Sequence, residues 1–263
     1  MRRTLRRLTL ALLCGMAAPG CSAGAAPPAE PVRLTVSAAA SLREAMTELA
    51  DSFRARAPGV EVRLNFGASG ALRQQIEQGA EVDLFVSAAE KPMDALAAGG
   101  RIDPATRGVL AGNELVLVVP AAGGSPVRSL AELATPRVRR VALGAPASVP
   151  AGEYAGAALR SLGLAEAVAG KTVYAQNVRQ VLAYVESGNV DAGIVYRTDA
   201  AVSARVRVAA AVPPESHPPV TYPLAVVRAT RHPREARALA AFLLGPEAAA
   251  VLRRRGFQAP LRP

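Results

Sequence analysis

V-R-L-T-V-S-A-A-A-S-L-R-E, residues 32 to 44, changes its period halfway. The first six residues alternate aliphatic with polar side chains, as a strand does. From Leu42 onward apolar residues return at helical spacing, with Leu42, Met46, Leu49 and Phe53 on one face and Arg43, Glu44, Asp51 and Arg54 on the other. A strand that runs straight into an amphipathic helix is the unit from which α/β sheets are built. Ser41 and Glu44 have the spacing of a capping box, in which the serine oxygen accepts a first-turn N–H and the glutamate reaches back. That accounts for Ser41 but not for its small neighbours Ala38, Ala39 and Ala40. A helix start with free N–H groups and no bulk in front of them is also a seat for an anion.

The unit repeats along the chain. Strands are expected at 32–37, 60–66, 83–87, 114–119, 140–144, 172–175, 192–196 and 221–227. Helices are expected to start near Ser69, Ala151 and Val178, with two more over Pro233 to Leu244 and Pro246 to Arg255. The pattern is that of an α/β protein with largely parallel strands. The apolar strand Glu114–Pro120 runs into the turn residues A-A-G-G-S-P, and the chain returns through A-V-P-P-E-S-H-P-P to the strand Thr221–Val227. Two such crossings imply a discontinuous first lobe, 32–113 plus 222–263, and a continuous second lobe, 114–221, with a ligand cleft between them at the carboxyl ends of the strands.

Of 263 residues, 51% are hydrophobic and 20% charged, a globular composition. The formal charge of +10 drops to +6 when Arg2, Arg3, Arg6 and Arg7 are set aside, because those four precede the apolar run Leu8–Ala18. The remaining basic residues are scattered and not interleaved with aromatics, which argues against nucleic acid as a partner. Residues 1–20 read as a secretory signal peptide and 21–31 as a flexible tether. No later stretch offers 18 consecutive apolar residues, so the expected mature chain has no membrane-spanning helix. Cys14 and Cys21 are the two cysteines, which leaves the folded part without a disulfide or a thiolate metal site. Cys21 resembles the lipidated first residue of a bacterial lipoprotein, although Ala18 stands where such sequences usually carry leucine. The expectation is a periplasmic or extracytoplasmic monomer that touches the membrane only through a lipid on Cys21. Cleavage after Ala23-Gly24-Ala25 is the alternative.

Several enzyme signatures fail on inspection. G-A-S-G at 67–70 lacks the second glycine of a nucleophile elbow, since residue 71 is alanine, and the two histidines, His217 and His232, sit beside prolines in polar segments. Gly170-Lys171-Thr172 lacks the opening glycine of a phosphate loop. What remains is a set of helix starts after strands: Ser41, Ser69, Ala151 in V-P-A-G-E-Y, and Val178 behind the capping residue Asn177. Tyr196 ends a strand and could add a phenolic donor. Hydroxyls and N–H groups without a basic or acidic side chain suit a fully deprotonated tetrahedral dianion, because a protonated oxyanion also wants an acceptor. Glu153 is the one carboxylate nearby and has to point away.

S-A-A-A-S-L, F-G-A-S-G-A-L-R-Q-Q-I-E-Q-G-A-E-V-D-L-F-V-S-A, V-P-A-G-E-Y, N-V-R-Q-V-L-A-Y-V-E-S-G-N-V-D-A-G-I-V-Y and the closing G-F occur in that order. Together they resemble the molybdate-binding proteins of bacterial ABC importers, over essentially the whole chain after residue 32. The resemblance implies a type II periplasmic-binding-protein-like fold that captures molybdate, and tungstate with it, and delivers it to a membrane permease without catalysing a reaction. It also implies that the anion is held by Ser41, Ser69, Ala151, Val178 and Tyr196, so that the metal is bound only as its oxyanion and no cofactor is needed. A sulfate or thiosulfate carrier is the alternative within this class; a secreted serine hydrolase using Ser69 is the alternative outside it.

Overall fold

A computed structural model describes residues 30–260, so the expected signal peptide, nearly all of the tether and Cys21 lie outside the described residues. The first lobe opens with β1 (Val32–Ala39), a 3-10 turn (Ala40–Leu42), α1 (Arg43–Arg56), β2 (Val60–Gly67), α2 (Ser69–Glu77), β3 (Leu84–Val86), α3 (Glu90–Ala98) and β4 (Gly108–Asn113). The chain then passes into β5 (Leu115–Pro120), β6 (Val141–Gly144), α4 (Pro150–Ser161), α5 (Ala165–Ala169), β7 (Thr172–Ala175), α6 (Val178–Glu186), β8 (Ala192–Tyr196), α7 (Arg197–Ala201) and β9 (Val206–Ala211). It returns through β10 (Val220–Val226) to α8 (Pro233–Leu243) and α9 (Pro246–Arg254).

The strands form two five-stranded sheets, ordered β2-β1-β3-β10-β4 and β7-β6-β8-β5-β9, with helices packed on them. In each sheet one strand runs against the other four. It is β10 in the first sheet, antiparallel to β3 and β4, and β5 in the second, antiparallel to β8 and β9. These reversed strands are the ones entered directly after a change of sheet, at Asn113–Leu115 and after β9. The result is a two-lobed α/β fold of mostly parallel strands.

Local sequence explains most of this. The apolar face that runs from Leu42 along α1 is buried, with Leu42, Met46, Leu49 and Phe53 at most 5% exposed, and each such side chain contributes about 1.5–3 kcal/mol. Leu115 to Val119 are all buried, as expected of a central strand covered on both faces. Two strands lie outside the sequence expectation. β4, G-V-L-A-G-N, starts with a glycine and has another near its end, and β9, V-R-V-A-A-A, fades into alanines, so neither shows a sustained period of two.

The capping box at Ser41 is not formed. Helical winding begins two residues earlier than the apolar period suggests, in the 3-10 turn Ala40–Leu42, and the residue before α1 is Leu42, with no side-chain cap. Ser41 is therefore carried inside, 2% exposed, and Glu44 turns to Arg179 of the other lobe instead of to the helix end.

Candidate functional site

Each expected site residue sits where a strand gives way to a helix. Ser41 lies in the turn after β1, Ser69 is the first residue of α2, Ala151 the second of α4, Val178 the first of α6, and Tyr196 the last of β8. The fold brings all five to one cavity of about 10 Å³ between the lobes, walled by Ala40, Ala68, Ala88, Val149 and Pro150. So tight a space leaves no room for an organic ligand.

Hydrogen-bond donors dominate the walls. The Ala88 N–H donates to Ser69 Oγ at 2.9 Å, so the serine accepts from the backbone and keeps its own proton for the cavity. Ser41 Oγ lies 2.9 Å from Tyr222 Oη. Tyr196 Oη is buried and has no hydrogen-bond partner among the described residues. Burial pushes its phenol well above the usual tyrosine range, with the nearby Tyr222, Tyr154 and Asp199 adding to the shift, so it remains a protonated donor. Among the described residues, the N–H groups of Ser41, Ser69, Ala151 and Val178 appear in no turn, loop or cap hydrogen bond. Asn177 caps α6 by accepting the Gln180 N–H at 3.0 Å, and Val178 follows it as the first residue of the helix. Gly152 sets the tilt of α4: a Cβ there would lie 2.0 Å from the Gly144 carbonyl oxygen, so only glycine lets the helix start lean on the end of β6.

Among the described residues, no charged side chain lines the cavity. Glu153 points away, accepting from Lys91 Nζ of the opposite lobe at 2.7 Å in an exposed pair. Arg179, next to Val178, does not line the cavity; its guanidinium donates to both Glu44 oxygens and lies 2.6 Å from the fully buried Asp199. Burial raises the Asp199 carboxyl to about 6 against the opposing pull of Arg179, and its Oδ2 accepts the Tyr196 N–H at 3.3 Å. Burial also pushes the Glu44 carboxyl upward, but the hydrogen bonds and charge of Arg179 outweigh it and hold it below the ordinary value. Arg179 thus balances a buried anion behind Tyr196 and ties the lobes together.

Two residues that sequence reasoning gave no role belong to this site. Tyr222 on β10 and Asn113 at the end of β4 stand directly behind Ser41. Tyr222 packs against Tyr196, ring centroids 6.0 Å apart, and edge-on against Phe257 of the closing G-F motif at 5.4 Å. Neither lies in a local pattern that marks it. The histidines are elsewhere: His217 packs near Tyr154, and His232 lines a separate open cavity of about 690 Å³ at the amino-terminal ends of β1 and β3. That larger cavity is rimmed by exposed arginines and contains none of the expected residues and no unpartnered buried group. No cluster of metal-ligating side chains occurs among the described residues.

Residues 34–258 match the family described as bacterial extracellular solute-binding protein. The chain is 45% identical over 228 residues to YvgL of Bacillus subtilis (strain 168), named as an ABC transporter substrate-binding lipoprotein, covering 87% of each chain. It is 41% identical over 229 residues to the molybdate-binding protein ModA of Escherichia coli (strain K12), covering 86% of this chain and 88% of that one. Among solved structures, the periplasmic molybdate-binding protein of Azotobacter vinelandii superposes with a TM-score of 0.78 at 25% identity, over 87% of this chain and all of that one.

Proposed function

The chain belongs to the bacterial extracellular solute-binding protein family, and on that premise we propose that it captures molybdate outside the cytoplasm and delivers it to the permease of an ABC importer. It is a binding protein and not an enzyme. The observation that carries the ligand reading is Tyr196 Oη: a fully buried donor with no partner among the described residues, lining a cavity to which both lobes bring hydroxyl and N–H donors. A buried hydroxyl left unpaired costs about 1–3 kcal/mol, and an oxyanion between the lobes supplies its acceptor.

In this reading Ser41, Ser69 and Tyr196 donate hydroxyl protons and Ala151 and Val178 donate backbone N–H groups. Each bond to a charged acceptor is worth about 1.5–3 kcal/mol, against the cost of stripping water from a dianion. The positive ends of α2, α4 and α6 favour the charge without a salt bridge. Tungstate, with the same charge and shape, binds alongside molybdate. No cofactor enters. A lipid on Cys21 holds a monomeric protein at the membrane, and the closed pair of lobes is the form the permease receives.

Titration calorimetry with molybdate, tungstate, sulfate and phosphate tests this. Molybdate and tungstate are expected to bind tightly with phosphate silent. Tight phosphate binding without molybdate heat refutes the reading, and sulfate heat without molybdate moves the protein to the sulfate-type alternative.

A further inference from the structure

Ser41 Oγ and Tyr222 Oη are 2.9 Å apart, and either oxygen could be the donor. The residues behind them decide which. The Glu114 N–H donates to Asn113 Oδ1 at 2.8 Å, which fixes the orientation of the amide and turns Nδ2 the other way. The two Nδ2 hydrogens go to Thr198 Oγ1 at 2.8 Å and to Tyr222 Oη at 3.1 Å. Tyr222 Oη is thus already an acceptor. It is fully buried, and Ser41 Oγ is the one acceptor its own proton reaches among the described residues. The reverse arrangement would strand a buried phenolic hydrogen with no acceptor, which native interiors avoid.

We propose that Asn113 and Tyr222 are positioning residues that load Ser41 Oγ with a hydrogen bond, so that one lone pair is taken, its own proton is directed at the ligand and the site disfavours protonated oxyanions. The proposal rests on the oxyanion reading above and adds the device that sets its specificity. At Ser69 the same loading comes from the backbone N–H of Ala88. At Ser41 it comes from side chains, and so it can be removed. The relay starts at the last residue of β4, where the chain changes lobes, and its branch to Thr198 reaches α7 of the second lobe.

Tyr222→Phe removes the donor and keeps the ring against Tyr196 and Phe257. Ser41 is then free to turn a lone pair into the cavity. In calorimetry at pH 8, molybdate affinity is expected to fall roughly tenfold, the low end for a hydrogen bond to a charged group. The preference for molybdate over monohydrogen phosphate falls with it, because phosphate gains an acceptor for its proton. In a Ser41→Ala background the same Tyr222→Phe change is expected to alter affinity less than about twofold, as it must if Tyr222 acts through Ser41. Asn113→Leu gives a smaller loss with the same dependence on Ser41, and carries the test if the phenylalanine variant does not fold. Unchanged affinity and preference in Tyr222→Phe, or an equal loss with and without Ser41, overturns the relay. If the unsubstituted protein gives heat with sulfate and none with molybdate, the ligand reading fails and the relay is judged by the same cycle with sulfate against phosphate. Heat with none of the three anions overturns both.

Discussion

Gly70, in the first turn of α2, donates its backbone N–H to the Ser148 carbonyl oxygen of the opposite lobe at 2.9 Å, and a Cβ on Gly70 would lie 2.7 Å from that oxygen and from the Ser148 Cα. The lobes meet there backbone to backbone, next to Ser69. The separation at this point limits how closely Ser69 approaches Ala151 and Val178.

Gly70→Ala is therefore expected to obstruct closure and not folding. An over-packed contact costs about 1–3 kcal/mol, so molybdate affinity falls roughly 5- to 150-fold. The ligand-free melting temperature holds or rises, because alanine is the better helix former by about 1 kcal/mol. Small-angle scattering should show less compaction on adding molybdate; full compaction with intact affinity would mean the contact yields.

Tyr196→Phe separates binding from stability in the opposite sense to a core mutation. It removes a buried hydroxyl that has no partner among the described residues. Molybdate binding is expected to weaken by about 1.5–3 kcal/mol, while the ligand-free melting temperature does not drop. A lower ligand-free melting temperature would show that the hydroxyl serves the fold.

Arg179 and Lys91 both cross between the lobes, and burial ranks them. Arg179→Met leaves Asp199 as an unpaired buried charge and is expected to cost about 3–5 kcal/mol of folding stability. Glu44→Gln keeps Asp199 paired and weakens the cross-lobe tie, so it lowers molybdate affinity more than melting temperature. Lys91→Met breaks an exposed pair and should leave affinity within about twofold. Calorimetry and thermal melts on the three variants give the order.

Asp199 also makes stability depend on pH. Its carboxyl titrates near 6 in the folded protein, against about 4 in an unfolded chain. The folded state takes up the proton first, so this contribution is fully present below pH ~4 and is lost as pH rises through ~6. Compared with Asp199→Asn, the unsubstituted protein should gain unfolding free energy as pH falls from 7 to 4, with a slope of at most ~1.4 kcal/mol for each pH step of one. Taking the difference between the two proteins removes the opposite slope from Glu44, whose carboxyl is held low. Urea titrations across this range check it; a constant difference would mean that Asp199 is charged throughout.

The alternation in Val32–Ser37, the apolar face Leu42-Met46-Leu49-Phe53 and the run Leu115–Val119 are visible in the chain because each depends on neighbours a few residues away. The positions of Ser41, Ser69, Ala151 and Val178 at helix starts are visible for the same reason, although the spacing at Ser41 is that of a cap and the structure puts its hydroxyl in the interior, against Tyr222. Local spacing describes how a segment can satisfy its own backbone. It does not say when a distant residue offers a better partner.

The contacts that turn these polar groups, within a lobe or between lobes, are of that second kind. Ser41 and Tyr222 are 181 positions apart, Glu44 and Arg179 are 135, and Lys91 and Glu153 are 62. Such contacts leave no period, and the charge on Glu153 reads the same whether it faces the cavity or Lys91. The order of residues along the chain was enough to make the strands, most of the helices and a set of free N–H groups. Which way the hydroxyls and carboxylates turn followed from the folded lobes, because a buried polar atom takes the partner that packing brings to it.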